Sequence, residues 1–264
     1  MSPQTTYNSE MTESVPGSPF ETGNNPKDII TRFSADIIPF GRGVISGAGL
    51  EEDEVKLPDS AAAISSFMGI ALFDMTQAVA NYPANSAIAC MISGRVWVEI
   101  ETAIAMGDDV YCRFSGRKQA QTITLDADFV AANVMDMTID GTAMTSVTWN
   151  ASHDQTMQDV CTQLTTDFPT KIATAACPGA GSRVITVTGY TNGTDVEIAG
   201  VLITLGVSQA AAVVAETVEG VADSEIGKFR NDGDTGTAAE VDGPAQWIYG
   251  GDAGEMAVLQ MLVT

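Results

Sequence analysis

The sequence predicts a mainly β protein: a small antiparallel β-barrel or sandwich, interrupted by an inserted α+β module and preceded by an extended N-terminal arm. Three observations point there. Short apolar or alternating runs, separated by turn residues, recur at roughly ten-residue spacing up to residue 120 and return after residue 220. Between them, one stretch carries a helix-start signature followed by apolar residues at helical spacing. The first 26 residues are mostly Ser, Thr, Pro, Gly, Asn and Glu.

That opening segment has isolated aromatics at Tyr7 and Phe20 and too little apolar surface to order by itself, so it reads as an arm over 1–26. From 27 to 120 the strand-like runs are Ile37-Ile38, Gly43 to Ile45, Val55 to Leu57, Met68 to Leu72 and Ile88 to Met91. Arg95 to Glu101 alternates strictly, which puts one set of side chains inward and the other in solvent. Val110 to Phe114 follows the turn Met106 to Asp109.

The pattern changes over 121–220, with strands expected at Met135 to Ile139, Ser146 to Trp149, Ile172 to Ala175, Arg183 to Thr188 and Asp195 to Leu205. The one main helix, about 153–168, starts at a capping box with Ser152 as cap and Gln155 three positions on. Met157, Val160, Cys161, Leu164 and Phe168 share its apolar face, and Pro169 ends it. After residue 220 the first style resumes with Gly227 to Arg230, Gln246 to Tyr249 and Met256 to Val263. Forty-odd residues seldom fold alone, so 221–264 is expected to complete the sheet begun in 27–120, with 121–220 inserted in a surface loop.

Composition narrows the function. The 264 residues carry 12 Lys plus Arg against 34 Asp plus Glu, a formal charge of −22, so nearly every charge is negative. Such a surface repels phosphate backbones and anionic lipid, which makes nucleic acid and membrane poor partners; it keeps a concentrated protein soluble or complements a basic protein surface. Cys90, Cys112, Cys161 and Cys177 show no C-x-x-C spacing, and no signal-like segment opens the chain, which fits synthesis in the cytosol. Cys90 and Cys112 lie in apolar runs and read as buried free thiols.

No catalytic constellation emerges. The single histidine, His153, falls in the first turn of the predicted helix and reads as exposed and inert, leaving any Ser-His-Asp, Cys-His or zinc device short of a member. Pro178 to Ser182 lacks the lysine half of a phosphate loop and reads as a hairpin turn. Glu51 to Glu54 and Asn231 to Asp234 lack full calcium-loop spacing and read as solvated acidic turns. No cofactor or metal is expected.

Four motifs in order carry a resemblance: Asp36-Ile37-Ile38-Pro39-Phe40-Gly41-Arg42-Gly43-Val44, Phe67-Met68-Gly69-Ile70-Ala71, Gly94-Arg95-Val96-Trp97-Val98, and the Met106-Gly107-Asp108-Asp109-Val110-Tyr111 turn. With the closing Gly227-Lys228-Phe229, they make the two outer segments similar to the structural cement proteins of tailed bacteriophages. The resemblance implies a non-enzymatic virion protein, made in the bacterial cytoplasm, that binds the outer capsid surface at junctions between major capsid proteins and stabilises the shell. Its implied partners are the major capsid protein and neighbouring copies of itself, as a dimer or trimer. The 121–220 insertion departs from short members of that family and is expected to project outward.

For contacts, the candidates are Tyr7 and Phe20 in the arm, Phe40 and Arg42 in the first loop, and Trp247 and Tyr249 near the end, because aromatics and Arg tend to anchor interfaces. Phe40 and Trp247 serve equally well in a core. The rival readings are a phage tail or fibre-associated β protein, a host-glycan-binding module built on 121–220, and a glycan-cleaving enzyme using an acidic pair.

Overall fold

The structure is a computed structural model that describes residues 15–20, 28–46, 51, 53–204, 212–241 and 245–261. It forms two compact units, 1–115 with 225–264 and 116–224. The first unit opens with β1 (Asp28–Ser34), β2 (Ile38–Pro39), β3 (Gly43–Ile45), β4 (Glu54–Val55), the short α1 (Ala61–Ile64) and β5 (Phe67–Ala71). It continues through β6 (Asn81–Tyr82), β7 (Ala87–Glu99) and β8 (Tyr111–Arg113). The second unit holds β9 (Lys118–Thr124), β10 (Val134–Ile139), β11 (Thr142–Ala143), β12 (Val147–Thr148) and α2 (His153–Asp167). Then come β13 (Ile172–Ala176), β14 (Val184–Asn192), β15 (Ile198–Thr204) and β16 (Val213–Val218). The chain re-enters the first unit with β17 (Phe229–Arg230), β18 (Ala238–Glu240), β19 (Ala245–Tyr249) and β20 (Met256–Met261). The protein is thus mainly β with one main helix, as its pattern predicts.

In the first unit β7 is the spine. Its first half pairs antiparallel with β1, from Ile29 opposite Met91 to Phe33 opposite Ala87, and with β5 at Ile70 opposite Met91. Its second half pairs with β20, from Met261 opposite Gly94 to Met256 opposite Glu99. Gly94, at φ 128°, stands where the partners change, and the sheet curls into a nearly closed barrel. The runs around Ile88 and Arg95 are therefore one 13-residue strand. Ser93-Gly94 lets the chain bend without ending the ladder, a common use of glycine inside a strand. The core takes Val96, Val98, Ile100, Cys112, Phe229, Trp247 and Leu259 into one cluster. A neighbouring cluster holds Ile38, Phe40, Val44, Tyr82 and Cys90. Cys90 and Cys112 are buried thiols, as expected, and burial pushes Cys90 up to about 12.

The second unit has two four-stranded sheets, one with β10 paired to β11, β12 and β15, the other ordered β13-β14-β9-β16. Helix α2 contributes Met157, Val160, Cys161 and Leu164 to a core with Ile123, Met135, Met137, Ile185 and Val187. Ser152 caps it by accepting from the Gln155 N–H at 3.2 Å. The reciprocal half of the capping box is not made, because the Gln155 amide donates instead to Asp159, one turn on, at 3.0 Å. Pro178 to Ser182 does form the connection of the antiparallel pair β13 and β14.

His153 is not the exposed residue its position suggests. Its side chain is 11% exposed. Nδ1 accepts from the Phe129 N–H at 2.9 Å and Nε2 donates to the Ser182 carbonyl at 2.9 Å, so the imidazole ties two loops to the start of α2. Both partners are distant in sequence, which is why a local reading misses them.

Candidate interaction surface

The described part of the arm, Val15 to Phe20, is built into the sheet of the first unit. The Gly17 N–H donates to the Trp97 carbonyl at 2.8 Å, the Trp97 N–H to Ser18 at 2.9 Å and the Phe20 N–H to Arg95 at 2.8 Å. On its other side, the Gly17 carbonyl accepts from the Phe73 N–H at 2.9 Å. Gly17 has φ +81°, and a Cβ there would stand 2.7 Å from the Phe73 nitrogen and 2.8 Å from the Ala71 carbonyl oxygen. Only glycine combines that backbone with that closeness. The Phe20 ring then meets Trp97 edge to face at 5.6 Å, with Met256 and Val258 in the same cluster. Alternation along β7 predicts solvent over one face of Arg95 to Glu101. The arm covers that face instead, so Val96 and Trp97 are buried on opposite sides of the sheet.

A second feature is an ionic network inside the same unit. The Arg113 guanidinium is 1% exposed and grips Glu101 in a bidentate pair at 2.6 and 2.7 Å. It also bonds Asp234 and, at 2.9 Å, the Thr237 hydroxyl. Arg230 Nη1 closes the cluster at 3.0 Å from Glu101 and 2.8 Å from Asp234. Nearby, Lys228 pairs with Glu99 at 2.6 Å and with Glu225, whose backbone carbonyl accepts from Arg42 Nη1 at 3.1 Å. Burial alone pushes the Asp234 carboxyl up, yet hydrogen bonds from Arg113 and Thr237 and the nearby guanidinium charges outweigh it and hold the carboxyl below the usual carboxylate range. Burial likewise works against the Arg113 charge, and its bonds to Glu101 and Asp234 more than restore it. Arg42, Arg113, Lys228 and Arg230, a third of the chain's 12 basic residues, are all buried, and the last three pair with carboxylates of the same unit. Few basic residues are therefore left outside, while the carboxylates drawn inward with them leave the net balance as the sequence gives it. Asn231 to Asp234 is therefore no simple solvated turn: Asp232 is exposed but pairs with Arg230, and the Asp234 side chain is 6% exposed.

The contact candidates sort by burial. Tyr7 lies outside the described residues. Phe20 lies in the arm seat just described. Phe40 packs edge to face on Phe73 at 5.3 Å and Tyr82 at 5.2 Å, in the core. Arg42 is buried in the ionic region. Trp247 is 1% exposed, donates from Nε1 to the Asp109 carbonyl at 3.2 Å and meets Phe229 edge to face. Tyr249 stays exposed at 42% while its ring touches Trp97 at 6.0 Å, so the structure gathers Phe20, Trp97 and Tyr249 at one place.

Sequence reasoning missed a further surface. On β1, Ile29 and Phe33 point outward and are 45% and 47% exposed, and Ile37 just beyond is 59% exposed. Among the described residues, β1 has β7 along one side and β4 only at Phe33 and Ser34 on the other, which leaves Asp28 to Arg32 as a sheet edge with apolar side chains above it. In Asp28-Ile-Ile-Thr-Arg-Phe-Ser34 the apolar Ile29 and Phe33 alternate outward with Thr31 between them, while Ile30 turns to the core. A groove of about 460 Å³ beside Tyr249 is lined by Asp108, Asp252 and Glu255. Asp108 and Glu255 accept backbone N–H groups of their own turns, from Ala105 and Asp252. Among the described residues no group of His, Cys, Asp and Glu is placed to hold a metal ion, and no helix is long and apolar enough to cross a membrane.

Comparison with curated proteins gave no match. Among solved structures, a chain of "The capsid of Myoviridae Phage XM1" is similar, with 10% identity, a TM-score of 0.46 and coverage of 96% of this chain and 93% of that one. Residues 3–158 match the family described as "Structural cement protein (E217 gp24/Pam3 gp6)". That span takes in the arm, β1 to β12 and the first turns of α2, more than half of the sequence, and the chain belongs to the structural cement protein family of phages.

Proposed function

We propose that this chain, a structural protein of a phage virion, binds the outer surface of the capsid at junctions between major capsid proteins, acts without catalysis and stabilises the shell. Family membership over residues 3–158 carries the reading. The structure supports it in three ways. The described arm segment, Val15 to Phe20, lies along β7 of its own unit by main-chain bonds, the mode by which an extended terminus also docks on a neighbouring sheet. The β1 edge with Ile29 and Phe33 offers main-chain groups and apolar side chains together, the combination that strand addition requires. The acidic exterior complements a basic partner surface and disfavours nucleic acid. Tyr249 and the β1 edge are the contacts assigned to the capsid, while Phe40, Arg42 and Trp247 act from within by holding the surface in shape.

The test is to mix the protein with capsid shells lacking it, sediment them, and measure bound stoichiometry and shell melting. Truncation should stop before Val15, because removing Phe20 would also empty the Trp97 seat. Saturation at a fixed ratio to the major capsid protein, with a raised shell melting temperature, is the expected result. Phe33→Asp should weaken binding at least tenfold without changing the fold. Absence of binding by the full chain overturns the proposal and turns attention to glycan recognition by the second unit.

A further inference from the structure

The four cysteines do not share one environment. Cys90 and Cys112 sit in the apolar core of the first unit, far from water. Cys161 and Cys177 are different: their sulfurs lie 3.0 Å apart. Cys161 projects from the middle of α2, and Cys177 follows directly on β13, at the entrance of the exposed Pro178 to Gly181 loop. Cys161 is buried at 8% exposure, whereas Cys177 is only half buried. The remaining contraction to a covalent S–S distance is about 1 Å. One partner borders a glycine-containing loop that can supply it, with Gly179 and Gly181 at φ 152° and 72°.

We propose that Cys161 and Cys177 are a redox pair that closes into an intramolecular disulfide when the protein meets a low-molecular-weight disulfide, covalently stapling α2 to the end of β13. The two thiols share one hydrogen bond, and when Cys177 loses its proton the Cys161 S–H stabilises the thiolate, which holds Cys177 below its ordinary value against burial and the Asp154 charge, while the same bond and burial push Cys161 up. The half-exposed Cys177 is thus both the more acidic and the more accessible sulfur, the arrangement of an attacking thiol beside a resolving one. Its thiolate attacks one sulfur of the small disulfide, forming a mixed disulfide and releasing the first thiolate. Cys161, losing its proton, then attacks the Cys177 sulfur and displaces the second thiolate. Two protein thiols are oxidised by two electrons, one small disulfide is reduced to two thiols, and the two protons pass to them. The staple adds to existing ties between helix and loop, where the Gly181 N–H donates to Asp154 at 2.7 Å and His153 donates to Ser182. Such a pair stays open in a reducing cytoplasm and closes outside it.

The full-length protein is incubated under native conditions with oxidised glutathione, then analysed by intact mass and non-reducing peptide mapping. The expected product has lost two hydrogens and two of its four titratable thiols, with Cys161 and Cys177 joined in one peptide pair. It should also unfold, in the second unit, at a temperature higher by on the order of 10 °C than the reduced form. Cys90→Ser with Cys112→Ser should behave identically, and Cys161→Ser should stop at a persistent glutathione adduct on Cys177. A stable adduct on the unaltered protein, a disulfide between two copies, or oxidation seen only in denaturant overturns the proposal.

Discussion

The two units bury different things. The first buries charge: a guanidinium at 1% exposure, two carboxylates at 10% and 6%, and a second arginine at 8%. The second buries apolar groups under a helix and leaves its ion pairs in water, with Arg183 to Asp128 at 47% and 54% exposure and Lys171 to Asp140 at 37% and 34%. The contrast follows from what each must hold. In the first unit β8 and the returning β17 and β18 are two or three residues long, too short to be kept in place by their ladders alone, and the network pins them through side chains. In the second unit the longer strands, six residues in β10 and nine in β14, and a 15-residue helix meet across one apolar core.

Substitutions sharpen this contrast when read by amide hydrogen exchange in peptides from each unit separately. The largest effect is expected from Arg113→Met, which leaves Glu101 and Asp234 buried with only Arg230 between them; the cost is about 3–5 kcal/mol, felt in the first unit. A cost no greater than that of an exposed pair would break the comparison. Leu164→Ala, at a fully buried helix position, should lower the second unit by about 2–4 kcal/mol and leave protection around β7 unchanged.

Acid should separate the units next. Because the folded Asp234 carboxyl titrates below its unfolded value of about 4, its contribution is present above that pH and is lost as pH falls through the folded value. The first unit should therefore lose protection steeply below about pH 4, and Asp234→Asn should flatten that dependence at the expense of stability near neutrality. Parallel pH curves for the two proteins would exclude the assignment. The smallest effect is expected from Arg183→Ala, whose pair with Asp128 lies in solvent: protection in the second unit should barely change, and any difference should shrink further in salt.

Helix α2 was legible because its information is local: Ser152 and Gln155 mark its start, and Met157, Val160, Cys161 and Leu164 repeat at the helical period. The strand nature of β7 and β20 was legible for the same reason. By contrast β1 and β16 were overlooked, since apolar residues lie on both of their faces: Ile29, Phe33 and Val213 are exposed at 45%, 47% and 63%, while Ile30 and Val214 pack on the cores. Among contact residues, Phe20 stands out as an aromatic in a polar arm, but nothing local says that it seats on Trp97 of its own chain, and Trp247 and Phe40 gave no local sign of which side of the sheet they would occupy. The covering of Trp97 was invisible, because the segment that covers it is remote in sequence.

By itself, then, the sequence determined that this is a mainly β, strongly acidic protein with one amphipathic helix and the ordered motifs of a cement protein, because composition and periodicity act over a few residues. Tertiary structure alone decided which charges are spent inside the first unit, where His153 finds its partners and which cysteines meet. Those contacts join residues far apart in sequence, Glu101 to Arg113 at 12 positions, Cys161 to Cys177 at 16, His153 to Ser182 at 29 and Glu101 to Arg230 at 129, and only chain folding can place them within hydrogen-bonding distance.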